Sequence, residues 1–478
     1  MRHGLKMAGV VVMVPLLAAS ETLAQTSPQR RVARTARLAD PAERQRIDPS
    51  LGLGERSLLD VGGSVSLSLV NLTDPRENSR RLFQPEVSVY ARAIVDGAHT
   101  FFGRARLQYR AYSEGDSFDE RGDRFTEPWV DRYWYEFDAR RNAAANEGRT
   151  IDSNVNVRVG RQFIDWGAGL ALSENLYAAR VVGEVGAWSI EGLAGVTPGD
   201  ESVIDFDASR RDFDRDTRRG FFGGRVTYTT ADQKAFYAYG LHMPDFNDSD
   251  APRLAPVGAT NFDYEATYFG VGASGSFSPA LLYMGEFVYQ IGQSQSDPLL
   301  GLQTSEDIRA FAARGMLTYL LGGELNARLE LEALFASGDD DRRVSTDTVG
   351  GNLSGTDDTA FNSLGFVNTG LAGAPSFSNL MVYRLGASMF PLAEEVPFDR
   401  LQVGIDLLVL NKLDPDGAID ETTSADRYLG FETDLFLNYR LTSDLAFTGR
   451  YGVFFPGTAI ESSKDTRHFV FLGVTLNF

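Results

Sequence analysis

The sequence predicts an all-β fold: a transmembrane antiparallel β-barrel of about eighteen strands, with short periplasmic turns and long extracellular loops. Three observations predict it. Segments of roughly ten to fifteen residues alternate between polar and apolar side chains, their connections are alternately short and long, and the last segment ends on phenylalanine. Composition agrees, because 48 glycines, 32 phenylalanines and 18 tyrosines favour turns and aromatic-rich strands over helices.

The alternation is almost complete in the first segment, residues 59–71. Its odd positions from Leu59 to Leu69 are apolar or glycine, and its even positions from Asp60 to Ser68 are aspartate, glycine or serine. A strand places successive side chains on opposite faces, whereas a helix would scatter them around its axis. Each such segment therefore has one polar and one apolar face. The predicted strands are 58–71, 83–95, 100–113, 127–139, 153–163, 176–184, 187–196, 219–229, 233–242, 262–276, 279–291, 306–319, 323–336, 379–391, 399–410, 426–440, 443–454 and 467–478.

The connections alternate as they do in bacterial outer-membrane barrels, where short periplasmic turns such as 230–232 are followed by long external loops such as 197–218. Two breaks, 140–152 and 392–398, are long for periplasmic turns and are expected to hold a short helix or a flap. The last segment, FVFLGVTLNF, resembles the closing strand that barrel assembly machinery recognises. A soluble β-sandwich or propeller is the alternative, but its strands would usually be shorter.

Three regions are predicted along the chain. Residues 1–24 combine early basic residues with an apolar run and are typical of a cleavable signal peptide. Residues 25–57 form a polar periplasmic extension, and residues 58–478 form the barrel in the bacterial outer membrane. After the signal, no stretch approaches the eighteen or so apolar residues of a transmembrane helix. The absence of cysteine excludes a disulfide framework.

In a membrane barrel the apolar face contacts lipid, because an arginine or lysine near the midplane costs roughly 2–4 kcal/mol. The polar face therefore lines the pore. In FFGRARLQYRAY, residues 101–112, this phase places Arg104, Arg106 and Arg110 on the lumen side. Applied to every strand, it predicts a set of pore-lining arginines. They are Arg92, Arg104, Arg106, Arg110, Arg132, Arg158, Arg180, Arg225, Arg314, Arg328, Arg384 and Arg450, and Arg440 has the same phase.

Acids share the predicted lumen face. They are Glu86, Glu136, Asp138 and Glu184 on the early strands, and Glu286, Glu330, Glu332, Glu432 and Asp434 on the later ones. We therefore expect a basic wall on the N-terminal half and a mixed wall on the other, although the formal net charge is −19. An eighteen-stranded barrel leaves an aqueous channel, and guanidinium groups along it favour anions, carboxylates above all. The alternative is that these arginines pair with the acids and only stiffen the wall.

The segment VRVGRQFIDWGAGLALSENLYAARV, residues 157–181, consists of a strand that ends in Gly-Arg-Gln, a Trp-Gly turn and a second strand. It resembles the alginate-export type of outer-membrane barrel. That family is a monomeric eighteen-stranded pore with an arginine-rich constriction, which passes an acidic exopolysaccharide outward. The resemblance implies that Arg158, Arg180 and the arginines of residues 101–112 belong to such a constriction. It also implies a monomer that contacts outer-membrane lipid, lipopolysaccharide, an anionic polysaccharide or small anions, and a periplasmic export scaffold.

Other functions are less favoured by the sequence. An anion-selective or substrate-specific uptake porin for small carboxylates would share the barrel. An outer-membrane enzyme is not predicted, because His99 and His242 lie near strand ends without a recognisable serine motif, and no cofactor is expected. A pI near 4.7 argues against nucleic acid as a partner.

Loops and aromatic residues complete the predictions. Loop 337–378 is rich in glycine, serine, threonine and aspartate, and could fold into the mouth as a plug or lid. The acidic runs 212–216 and 339–341 are more typical of solvated loops than of a calcium site, so no metal is predicted. Several aromatics near strand ends are expected to form the interface girdles of the barrel. They include Trp129, Tyr133, Trp188 and Tyr439.

Overall fold

The computed structural model describes residues 52–113, 122–198, 219–246, 263–297, 302–342 and 352–478. These residues form a closed barrel of eighteen antiparallel strands in which each strand pairs with its sequence neighbours and β1 also pairs with β18. The strands are β1 Ser57–Thr73, β2 Ser79–Val95, β3 His99–Tyr112, β4 Arg124–Asp138, β5 Asn154–Trp166, β6 Leu172–Val185, β7 Trp188–Val196, β8 Gly220–Thr229, β9 Ala235–Met243, β10 Glu265–Ser278, β11 Leu281–Gln295, β12 Ser305–Gly322, β13 Ala327–Ala336, β14 Leu380–Met389, β15 Leu401–Asn411, β16 Tyr428–Arg440, β17 Leu445–Pro456 and β18 Arg467–Asn477.

The predicted fold class is confirmed, and each predicted strand has its counterpart. The largest differences are of four residues. β11 ends and β13 begins four residues later than predicted, and β2 and β6 begin four residues earlier. Polar residues interrupt the alternation there, yet the backbone still pairs, as Thr73 does with Ser79 and Trp166 with Leu172. Two external connections, 74–78 and 167–171, are therefore short. The predicted signal peptide and most of the predicted extension lie outside the described residues.

The long periplasmic break after β4 contains a short helix, α1, Ala139–Asn142, as expected. Asp138 caps it by accepting a hydrogen bond from the Arg141 backbone N–H at 2.9 Å, and a π-helical turn follows over Ala143–Glu147. The break after β14 ends in a 3-10 turn, Phe398–Arg400. No helix among the described residues is long and apolar enough to span a membrane.

Alternate residues of the strands present an apolar band on the outer surface. On β1, Leu59, Val61 and Leu67 are between 46% and 67% exposed, whereas the residues between them are less exposed. Trp188 packs against Tyr228 at the periplasmic end of the barrel, with 4.8 Å between ring centroids, as a girdle residue would. These outward residues have the phase that the sequence predicted for the lipid face.

Trp129 does not belong to that band. It pairs in register with Arg106, and its ring centroid lies 5.8 Å from the Arg106 guanidinium carbon. Trp129 therefore has the phase of the lumen face, because a shift in the β3–β4 register changes the alternation before it.

Residues 352–379, called the inner segment below, cross the interior of the barrel. Its Leu364 carbonyl accepts from Ser173 at the start of β6, its Asp358 carbonyl accepts from Arg309 on β12, and its Leu371 N–H donates to Glu432 on β16. A segment that contacts β6, β12 and β16 of one closed barrel has to lie inside it. The segment thus occupies the external mouth, where the sequence predicted a plug or lid.

The phase of the strands predicts unequal losses of stability for the same substitution at two adjacent residues. Val65→Arg, at the centre of β1 on the outer face, should lower the free energy of unfolding in lipid vesicles by roughly 2–4 kcal/mol. The matched control is Ser66→Arg, which lies opposite Glu86 in register and should cost much less. Denaturant titration of the barrel in vesicles measures both. Equal losses for the two variants would contradict the assignment of faces.

Candidate channel constriction

A five-residue connection between β5 and β6, residues 167–171, turns into the lumen and is called the constriction loop below. Gly167 has φ +65° and Gly169 has φ +78°, a backbone conformation that side chains disfavour. Space excludes a side chain as well, because a Cβ on Gly167 would lie 2.0 Å from Glu286 Oε2. Glycine at these positions lets the loop approach the opposite wall closely.

Two oppositely charged side chains hold the peptide groups of Ala168. Its N–H donates to Glu286 on β11, and its carbonyl accepts from Arg314 Nη1 on β12 at 2.8 Å. Glu286 and Arg314 face each other in register. Glu286 is buried and also accepts from the hydroxyls of Tyr237, at 2.5 Å, and Tyr239, at 2.7 Å. The constriction loop is therefore fastened to a wall six strands away from its own.

On the near side, two arginines share one carboxylate. Arg180 on β6 and Arg225 on β8 contact Glu191 of β7 at 2.5 and 2.6 Å, and Trp166 Nε1 donates to the same carboxylate at 3.0 Å. The Arg225 guanidinium carbon lies 5.8 Å from the Trp166 ring centroid. This group carries two positive charges and one negative charge next to the start of the constriction loop. Glu191 is not among the inward acids that the alternation predicts.

The arginines of residues 101–112 are also paired. Arg104 Nε donates to Asp131 at 3.0 Å, and Arg106 contacts Glu86 at 2.7 Å and Asp131 at 3.4 Å. Arg110 Nε donates to the side-chain oxygen of Gln108 at 3.2 Å. Strict alternation would place Asp131 on the lipid face, but a register shift between β3 and β4 brings it to the lumen face. That shift is what the sequence pattern missed.

Of the remaining arginines in the N-terminal half, Arg92 pairs with Asp60 at 2.7 Å. Arg158 Nε donates to Glu136 at 2.7 Å. Arg132 differs from its predicted neighbours, since it donates to Asn175 Oδ1 at 3.2 Å and lies 5.4 Å from the Phe163 ring centroid. Phe163 of β5 pairs with Asn175 of β6, and both have the phase opposite to that of Arg158 and Arg180.

The wall formed by β13–β16 is richer in acid. Arg384 contacts Glu332 at 2.6 Å and Glu330 at 2.9 Å, and Arg328 lies 3.5 Å from Glu330. On this phase five carboxylates face three arginines, Arg328, Arg384 and Arg440. The five carboxylates are Glu330, Glu332, Asp406, Glu432 and Asp434.

Arg450 on β17 has a different environment. Among the described residues, no carboxylate lies within ion-pair distance of it, and its Nη1 donates to the carbonyls of Gly449 at 2.8 Å and Leu437 at 3.3 Å. Its guanidinium carbon lies 5.4 Å from the Phe436 ring centroid. The eleven other arginines of the predicted set each contact a carboxylate or, for Arg110 and Arg132, an amide oxygen. Ten of these contacts are given above, and the remaining arginine, Arg314, contacts Glu332 at 2.7 Å.

Two carboxylates fasten the inner segment. Glu432 is fully buried and accepts from the backbone N–H groups of Leu371, Ala372 and Gly373 at 2.5, 2.6 and 2.8 Å. Asp339, at the start of the same loop, is buried and accepts from the Thr359 N–H at 2.8 Å. Burial raises the pKa of Asp339, against the lowering effect of that N–H donor.

The acidic run at 339–341 was expected to be a solvated loop. Its three carboxylates approach within 4.8 Å of one another, but Asp339 is 2% exposed and used for the hydrogen bond to Thr359. Asp339 therefore anchors the inner segment, whereas Asp340 is exposed, as expected of a solvated loop. The other acidic run, 212–216, lies outside the described residues.

A family model for alginate export matches residues 144–472. The chain belongs to the alginate-export family. No curated protein is detectably similar to this family member in sequence. Membership of this family and the closed eighteen-stranded barrel identify this alginate-export protein as a bacterial outer-membrane channel, and the solved structures that it resembles share the fold.

Three crystal structures illustrate that likeness. OccK8 (OprE) of Pseudomonas aeruginosa is 11% identical, with a TM-score of 0.53 over 90% of this chain and 99% of that one. A BenF-like porin from Pseudomonas fluorescens Pf-5 is 10% identical, with a TM-score of 0.52 over 89% and 100%. Pseudomonas aeruginosa OccK5 (OpdH) is 13% identical, with a TM-score of 0.51 over 88% and 98%. At these identities the likeness establishes the fold alone.

Because Glu286 holds Ala168 of the constriction loop, we predict that Glu286 sets the width of the channel. Glu286→Gln removes the charge that accepts three hydrogen bonds, so the constriction loop should move more freely. Single-channel recordings should show noisier open-channel current and a higher mean conductance. Glu184→Gln, at an inward acid near the periplasmic rim that is not in contact with the loop, serves as control. Identical recordings for Glu286→Gln and the wild type would show that the contact between Glu286 and Ala168 does not limit the conductance.

The three backbone N–H groups that donate to Glu432 lead to a prediction about the inner segment. Hydrogen bonds to a charged group contribute about 1.5–3 kcal/mol each, so Glu432→Gln should loosen the inner segment. Limited proteolysis of the barrel in detergent should then cut within residues 352–379 at least several-fold faster. Glu324→Gln, on an exposed periplasmic turn, is the control. Unchanged cleavage would mean that apolar packing alone holds the segment.

Proposed function

We propose that this alginate-export family member passes an anionic polysaccharide out of the cell through an arginine-lined pore. The single observation that carries the proposal is the pair Arg180 and Arg225, which share one carboxylate beside the constriction loop. Membership of the alginate-export family supports the polymer as the substrate class. The polymer would follow the wall from β2 to β8, where most of these arginines lie.

Arginines that are already paired can still bind a passing carboxylate. A guanidinium group has five N–H donors, and a pair with one carboxylate leaves some of them available. Arg180 and Arg225 together keep one positive charge in excess over Glu191. A carboxylate of the polymer can therefore replace Glu191 as a partner and later give way to it. Permeation needs such binding, favourable but not retentive.

The two walls would act together on a polyanion. The net acid on β13–β16 repels carboxylates, while the arginines on β2–β8 attract them, so the chain is held to one side of the lumen. A small carboxylate would experience the same field, which is why an uptake porin is the rival function. The two functions differ in whether a polymer is exported.

Single-channel selectivity tests the arginine-lined pore. Arg104→Gln with Arg106→Gln should lower the anion-to-cation permeability ratio several-fold, because Asp131 and Glu86 lose their partners. The matched control is Arg106→Gln with Glu86→Gln, which removes an ion pair without a change in net charge and should keep the ratio near that of the wild type. A cation-selective wild-type channel would contradict the proposal.

Export is tested in cells. Deletion of the gene should abolish secretion of the acidic surface polysaccharide, and the Arg104→Gln, Arg106→Gln variant should restore it only partly. Unchanged secretion on deletion, with uptake of a small carboxylate lost, would favour the uptake porin.

A further inference from the structure

Three aromatic side chains from neighbouring strands form a row on the lumen face. Tyr90 on β2 and Phe102 on β3 have ring centroids 6.1 Å apart and planes 22° apart. Phe102 and Trp134 on β4 have centroids 5.3 Å apart and planes 18° apart. Phe102 pairs in register with Arg92 and with Trp134, and therefore has the same phase as the inward arginines. The row is called the aromatic row below.

The aromatic row lies on the periplasmic side of the arginines at 104 and 106. β3 begins at His99 after a periplasmic turn, so Phe102 precedes Arg104 and Arg106 on the way outward. At one end of the row, the Arg158 guanidinium carbon lies 4.2 Å from the Trp134 ring centroid. A polymer that enters from the periplasm would thus meet the rings together with Arg92 and Arg158, and Arg104 and Arg106 next.

The described elements leave these rings partly uncovered. All three are half-buried, and none belongs to the buried apolar clusters that the inner segment completes in the external half of the barrel. Atoms in contact are about 3.5–4 Å apart, so centroid distances of 5.3 and 6.1 Å mean that the three rings are offset from one another and do not cover each other fully. The Arg158 guanidinium lies over one face of Trp134, so the uncovered aromatic surface is that of Tyr90, Phe102 and the rest of Trp134. Aromatic surface that faces an aqueous channel costs about 25 cal/mol per Å² unless something covers it.

Room for the row comes from a glycine on β1. A Cβ on Gly62 would lie 2.9 Å from Tyr90 Oη and 3.0 Å from its ring, so Tyr90 lies directly over this glycine. The inward neighbours of the row on the same strands are charged, among them Arg92, Arg104 and Glu136. An apolar patch bordered by charge suits a ligand that has apolar faces and charged substituents.

We infer that the aromatic row is a carbohydrate-binding subsite, on which pyranose rings of the exported polymer stack while their carboxylates contact Arg104 and Arg158. A pyranose ring has a face of C–H bonds that is attracted to the negative face of an aromatic ring. The inference rests on the proposed function and narrows its substrate class, because a small carboxylate without a sugar ring gains nothing from the row.

Current block by an added oligosaccharide tests the subsite. The probes are an oligo-uronate of about six residues, a neutral oligosaccharide of equal length and the uronate monomer, each added to the periplasmic side of a planar bilayer. The oligo-uronate should block wild-type channels, and Trp134→Ala should shorten its residence time about tenfold. Trp134→Leu keeps apolar bulk without an aromatic face and should shorten the residence time almost as much. Trp134→Phe should keep the residence time close to that of the wild type.

The matched control uses aromatics of the same strands that face lipid. Phe101 and Tyr135 pair in register with ring centroids 5.0 Å apart, on the outer phase of β3 and β4. Phe101→Ala with Tyr135→Ala should leave the residence time unchanged. Open-channel conductance and heat-resistant migration on gels confirm that each variant is a folded barrel.

The outcomes separate this inference from the proposed function. Wild-type residence times in a folded Trp134→Leu channel would overturn the subsite. If the Arg104→Gln, Arg106→Gln variant still shortened the block, the proposed polysaccharide channel would stand without the subsite. A wild-type channel that conducts the monomer but is never blocked by the oligo-uronate would overturn both. A block by the neutral oligosaccharide that also requires Trp134 would support stacking directly.

Discussion

A backbone that crosses a membrane must satisfy its own hydrogen bonds, and the closure of β1 onto β18 is how this chain meets that constraint. Closure leaves no free strand edge and sets one face of each strand towards lipid. A charged side chain at the level of the lipid must then point inward, where it is only partly hydrated. The ion pairs follow from this, because a half-buried arginine or carboxylate without a partner would be poorly solvated.

The same constraint explains how the channel is narrowed. A wide barrel has room for loops, but a loop inside it needs partners for its own peptide groups. The constriction loop obtains them from Glu286 and Arg314, and the inner segment obtains them from Glu432. In each case a wall carboxylate accepts backbone N–H groups, so these acids also position the loops.

Charge and apolar surface are arranged in sequence along one wall. The aromatic row, with Arg92 and Arg158 beside it, lies on the periplasmic side of the β3 arginines, and the group around Glu191 lies beside the constriction loop. A charged sugar polymer has both kinds of surface, and a path that offers them in turn can hold successive units weakly at several places. Weak binding at several sites permits passage where one strong site would retain the polymer.

Much of this was available from the sequence alone. Period-two alternation is a local property, so the strands, the two faces and the inward phase of Arg104 and Arg158 follow directly from the order of residues. The turn at Trp166 and Gly167 also carried the resemblance to the family. Only the tertiary structure decided which groups these side chains and loops contact. Asp131 reaches the lumen through a register shift that alternation does not record, and Ala168 meets Glu286 and Arg314 because closure brings strands far apart in sequence to one cross-section. Such contacts depend on barrel geometry rather than on neighbouring residues.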